Sequence, residues 1–220
     1  MILGFKPMLF STPMVVALSN GSKTMTRRPQ GLELVNDDEL REWEFVGFGK
    51  NIKERECAVF KAVGYGDTWA EVPLKIVKGD VIWVRETFFD TSKVDKAELF
   101  RKSERFLYKA DEVFIGCHKW KPSIHMPKEA CRLWLKVKDV RVERLNAISE
   151  ADAEKEGVLW VGKGSGIVRY MNYETGDYEM VFPSGGLRTL WQSINGDGSW
   201  LDNPWVWVYE FEKVERPEGW

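Results

Sequence analysis

Aromatic side chains alternate along residues 204–214: Trp205, Trp207, Tyr209 and Phe211 occupy every second position. Successive side chains of a strand point to opposite faces, so this spacing predicts a closing strand with all four on one face. An aromatic face of that area must be covered by the rest of the chain, which makes the strand a core element. Two other stretches extend the argument. Residues 81–88 open with an apolar run, Val-Ile-Trp-Val, that predicts a central strand covered on both faces. Residues 133–142 alternate from Leu133 onward and predict a half-buried strand.

Around these, residues 2–10 predict a first strand. Ser11 then serves as an N-cap with Pro13 near the start of a short helix, which Asn20-Gly21 stops. Residues 22–28 predict an extended segment ended by Pro29. Residues 43–46, 58–60 and 106–110 are short strand candidates, and the charged stretch 93–105 a helix or loop. Residues 120–127 form a proline-bounded loop. Ser149 caps a short helix ended by Gly157, residues 160–186 hold six glycines and predict a hairpin or insertion, and residues 187–194 predict an amphipathic helix. Many short strands with few helices predict an α+β, mainly β, single domain, either a small barrel or a curled sheet.

The 220 residues carry a net charge of −2, so bulk charge gives no reason to bind polyanions, and any such surface must be local. One candidate lies between His118 and Arg144. Lys119, Lys121, Lys128, Arg132, Lys136, Lys138, Arg141 and Arg144 there face only Glu129, Asp139 and Glu143. With Trp120 and His125 in the same region, it suits a phosphate backbone and stacked bases, although Lys136 and Lys138 also read as a solvated strand face. Three cysteines give no disulfide framework. No signal peptide is read at the N-terminus and no eighteen-residue apolar run occurs, so a cytoplasmic protein without a membrane span is expected. Cys117, His118, His125 and Cys131 are of metal-binding type but lack a Cys-x-x-Cys spacing; no metal or cofactor is expected.

The densest chemistry is Gly21-Ser22-Lys23-Thr24-Met25-Thr26-Arg27-Arg28, with three cations and three hydroxyls in eight residues. On a regular strand Lys23 and Thr26 face opposite ways; a turn or bulge near Thr24 brings them together. The segment reads either as a solvated basic edge or as a corner that binds an anion or a base, with arginine forks suited to phosphate.

This segment, following a short helix, resembles the N-terminal signature of ASCH domains. Lys78-Gly79-Asp80 running into Arg85-Glu86 resembles their second block. Residues 145–157 are similar to their helix after the strand, and residues 205–211 to their last strand. The match covers about half the chain, leaving insertions at about 30–77 and 158–186, and is nearest to the longer ASCH proteins of phages and prophages. The resemblance implies a PUA-like small β-barrel with short helices and a cleft that handles a nucleoside or single-stranded RNA or DNA.

One branch of the family removes the acetyl group from N(4)-acetylcytidine. By that resemblance Lys23, Thr26 and Glu156 are the catalytic candidates. Thr24, Arg27, Arg28, Arg85, Glu86, Trp120 and His125 are the substrate-binding ones. A threonine hydroxyl becomes a nucleophile when a base removes its proton. A lysine serves as that base when burial or cationic neighbours such as Arg27 and Arg28 lower its pKa, and a carboxylic acid protonates the leaving amine. A non-catalytic reader of RNA or modified nucleic acid and a ribonuclease stand as alternatives.

Overall fold

The computed structural model describes residues 4–93, 104–113, 115, 119–162, 166 and 168–220. Most of the charged stretch expected as a helix or loop at 93–105 therefore lies outside the described residues, as do Cys117 and His118. The chain is mainly β. Its centre is a five-stranded sheet in the order β1 (Phe5–Leu9), β6 (Val81–Arg85), β9 (Trp134–Arg144), β13 (Trp205–Val214), β2 (Met25–Arg28). β1 runs parallel to β6, and the other three pairings are antiparallel.

The alternation along β13 does what its spacing requires. Trp207, Tyr209 and Phe211 are buried in the main core with Trp205 packed against it, whereas Val206 and Val208 enter a second cluster with Met25, Leu145 and Trp191. Withdrawing Phe211 alone from water contributes about 1.5–3 kcal/mol. β6 lies between β1 and β9, with Ile82 and Val84 in the main core and Val81 in a different cluster, so both its faces are covered.

The single strand expected over 81–88 is two strands. β6 stops at Arg85, and Glu86 turns inward to accept from Arg132 at 2.9 and 3.0 Å, because a buried carboxylate needs a partner. The chain then resumes as β7 (Phe88–Asp90), which pairs with β8 (Phe106–Tyr108) in a separate hairpin.

Among the described residues four short α-helices accompany the sheets. α1 (Thr12–Ser19) follows β1 directly, and α2 (Glu33–Asn36) follows β2. α3 (Glu150–Lys155) is capped by Ser149, whose hydroxyl accepts from the Asp152 N–H at 3.2 Å. α4 (Pro183–Asn195) begins four residues before its expected start. Pro183 fits the first turn because it has no N–H to leave unpaired, but Ser184-Gly185-Gly186 conceals the helical period.

The described parts of the stretches read as insertions form layers on the same core. Residues 30–77 contribute α2 and the antiparallel meander β3 (Trp43–Lys50), β4 (Glu56–Ala62) and β5 (Trp69–Pro73); the Phe60 ring lies 5.5 Å from that of Trp205. Residues 158–186 contribute the small sheet β10 (Trp160–Val161), β11 (Arg169–Met171) and β12 (Tyr178–Met180), and Tyr170 and Val158 join the main core.

The sheets do not close into a barrel. The two edges of the central sheet, β1 and β2, approach closely enough for Arg28 to donate to the Leu9 carbonyl at 2.7 Å, yet no backbone ladder joins them. The sheet is curled, and a cavity lies at this open seam. Among the described residues no helix is long and apolar enough to cross a membrane.

Candidate functional site

The cavity encloses about 420 Å³, within the range of about 300–1,000 Å³ usual for small-molecule sites. One wall is the seam itself: Leu9 and Phe10 at the end of β1, and Thr26, Arg27 and Arg28 on β2. Lys23 and Glu156 line its depth, α1 contributes Met14, and Thr87 and Ser123 add hydroxyl-bearing residues. The opposite wall is apolar and comes from α4, chiefly Leu187, Leu190, Trp191 and Ile194.

Lys23 reaches this cavity because it precedes β2 and is not part of its alternation. Its N–H bonds the Ala17 carbonyl at 3.0 Å, and the next N–H, of Thr24, bonds the Lys155 carbonyl at 2.8 Å. The chain thus crosses from the end of α1 to the end of α3 before entering the sheet, and strand alternation begins only at Met25. Gly157 permits the crossing. It has φ +79°, and a Cβ there would lie 2.6 Å from the Lys23 Cβ and 2.8 Å from the Ala17 Cβ.

The polar groups so gathered are almost sealed from water: Lys23 is 4%, Thr26 3%, Arg27 5% and Glu156 4% exposed. Lys23 Nζ donates to Glu156 Oε2 at 2.9 Å and to the Glu156 carbonyl at 2.7 Å. Arg27 donates to Glu156 Oε1 at 3.2 Å, to Glu143 at 2.9 Å and to Asp152 at 3.5 Å. Burial pushes the Lys23 amine below the ordinary lysine value; the Glu156 charge opposes that shift, and Arg28 and Arg27 add to it. The Thr26 hydroxyl has no hydrogen-bond partner among the described residues.

Arg28 stands apart from this ion network. Among the described residues it has no carboxylate partner and its buried Nε has no partner; one nitrogen donates to Leu9, and the guanidinium lies 5.0 Å from the centre of the Phe10 ring. Burial lowers its pKa from the usual arginine value, with Glu156 and Tyr209 opposing. Of the expected binding residues, Arg28 is therefore a cation in the cavity wall without an ion pair among the described residues, whereas Arg27 is held by three carboxylates.

The other expected binding residues are not brought to this cavity. Thr24 is exposed and holds the strand junction through its backbone. Arg85 and Glu86 do not pair with each other: Arg85 donates to the Ile124 carbonyl beside the Trp83 ring, and Glu86 is bound by Arg132. Burial raises the Glu86 pKa, with Arg132 opposing. Trp120 packs against Phe89, Leu107 and Ile115, and His125 lines a separate hollow with Asp90, Arg105 and Lys121. The segment 118–144 is also less free than its composition implies. Arg132 is tied to Glu86 and Asp111, Lys138 to Glu212, and Arg141 to Glu143, Asp139, Asp152 and Glu210. The partners Glu86, Asp111, Asp152, Glu210 and Glu212 come from other stretches of chain, so counting charges within one stretch missed them.

Sequence reasoning missed α4 as a cavity wall. The available signal was the apolar spacing of Leu187, Leu190, Trp191 and Ile194, which fixes a helical face but not what it covers. Among the described residues no group of three or more His, Cys, Asp or Glu side chains is placed to hold a metal ion. No protein-family model, curated protein or solved structure matches this chain.

Proposed function

We propose that the chain is a PUA-like protein of ASCH type whose seam cavity accepts an N(4)-acylated cytosine nucleoside and hydrolyses its amide. What carries the reading is the junction of a buried, base-disposed lysine, an unengaged threonine hydroxyl and a carboxylate, all lining one cavity. The curled sheet with its parallel β1 and β6 supports the PUA-like assignment, the open seam taking the place of barrel closure.

The chemistry follows from the contacts. Neutral Lys23 takes the proton of the Thr26 hydroxyl as Oγ attacks the acyl carbon. The hydrogen bond from Lys23 to Glu156 then gives that proton a route to the carboxylate. Glu156 delivers it to the departing exocyclic amine as the carbon–nitrogen bond breaks. Water attacks the acyl-threonine, releasing the carboxylic acid and restoring the hydroxyl. The apolar α4 wall excludes bulk water and offers a surface to the base and acyl group, while Arg28 is available to an oxygen of the substrate.

Incubation with N(4)-acetylcytidine tests this. Cytidine and acetate should be released by the intact protein and not by Lys23→Ala; no turnover by the intact protein across a range of pH removes the reading. A second reading, a module that binds the modified base without cleaving it, is favoured by one observation: Lys23 already spends two donors on Glu156. Saturable binding of N(4)-acetylcytidine without product distinguishes it.

A further inference from the structure

We infer that Arg27 is a positioning residue that acts through Glu156 and Lys23 and does not itself bind substrate; the inference rests on the catalytic reading above. Glu156 is gripped from two sides. Lys23 takes Oε2 at 2.9 Å and Arg27 takes Oε1 at 3.2 Å, so the carboxylate plane is fixed by two cations from one short segment of chain. Arg27 is fixed in turn from behind, by Glu143 on β9 at 2.9 Å and by Asp152 on α3 at 3.5 Å.

Those two carboxylates are themselves shared. Arg141 on β9 reaches Glu143 at 3.0 Å and Asp152 at 3.3 Å, and Lys155 reaches Asp152 at 3.3 Å. Glu143 and Asp152 are only partly buried, so the chain of charges runs from the sealed Lys23–Glu156 pair out to the protein surface. Three carboxylates and the Met25 sulfur engage both terminal nitrogens of Arg27, and only its buried Nε is left without a partner among the described residues, so the fork is committed to orienting carboxylates.

Arg27 also bears on the protonation of Lys23. The groups facing the amine are Glu156 at the end of α3 and Arg27 and Arg28 on β2. Arg27 places a like charge near the amine and occupies one oxygen of the carboxylate that would otherwise hold the ammonium more strongly. Both effects favour the neutral amine that the reaction needs.

The test uses the full-length protein and two variants. Arg27→Lys keeps the charge but loses the fork. Its kcat should fall about tenfold, the rate equivalent of one charge-assisted hydrogen bond, with KM nearly unchanged. Arg27→Gln removes the charge, and the NMR titration of the Lys23 ε-carbon, assigned by its absence in Lys23→Arg, should move to higher pH. A raised KM with unchanged kcat in Arg27→Lys would show that Arg27 binds substrate, and an unmoved titration in Arg27→Gln would likewise overturn the inference. If Arg27→Gln does not fold, Arg27→Lys decides. If the intact protein turns over no substrate, the catalytic reading fails while the Lys23 titration still reports on Arg27.

Discussion

The Lys23 amine and the Glu156 carboxylate, 133 positions apart in the chain, lie 2.9 Å from each other with both side chains sealed from water. A buried ion pair is weak as a stabilising device, since desolvating two charges offsets most of their attraction. Its position is more telling: it lines a cavity of suitable volume beside a hydroxyl that nothing in the described protein engages.

Thr26 supplies the first prediction. Thr26→Val keeps the shape and removes the hydroxyl, and should lower the rate of N(4)-acetylcytidine hydrolysis by at least about a hundredfold. Thr26→Ser retains a hydroxyl and should retain measurable turnover. Steady-state product release measures both, and equal rates for Thr26→Val and the intact protein would exclude the hydroxyl as nucleophile.

The second concerns pH. Lys23 acts in its neutral form, so the rate rises with pH as the amine loses its proton. Because burial lowers the Lys23 pKa, the midpoint of the rise should fall below the ordinary lysine value of about 10.4. A kcat/KM profile checks it; a midpoint at or above that value would deny the lysine its role as base.

Gly157 gives a prediction independent of activity. Gly157→Ala would force a Cβ to 2.6 Å from that of Lys23 at a backbone φ of +79°. Overpacking of this kind costs about 1–3 kcal/mol, read as a lower urea midpoint. A variant as stable as the intact protein would contradict the close crossing of the Lys23 and Gly157 segments.

The thiols provide a fourth. Cys57 and Cys131 are buried, and burial raises both, Cys131 to about 11. Thiolates are scarce under these conditions, so neither should be alkylated by iodoacetamide at mildly alkaline pH in the folded protein. Peptide mass spectrometry after labelling checks it, with the urea-unfolded protein as the positive control.

Much of the fold was legible where one physical rule dominated. The period-two aromatics of β13 and the capped helix at Ser149 are local patterns, and the structure keeps both. The strand at 81–88 was misread because an apolar run does not announce that Glu86 will turn inward to Arg132, 46 positions later. Barrel closure fails for a related reason: whether two sheet edges meet depends on what fills the space between them, and here that is a cavity.

At the site, the local cluster at 21–28 pointed to Lys23 and Thr26, and these line one cavity with Glu156. The roles of Arg27 and Arg28 were not separable from sequence. Only the distant Glu143, Asp152 and Glu156 show that the first is held in ion pairs, whereas the second, among the described residues, is held by the Leu9 carbonyl and the Phe10 ring alone.

The most direct test is to stop the reaction early. Protein mixed with N(4)-acetylcytidine, quenched in acid within one turnover and digested, should yield a peptide carrying one acetyl group on Thr26. Acetate released at full rate, with Thr26 unmodified at every quench time and Thr26→Val equally active, would contradict it.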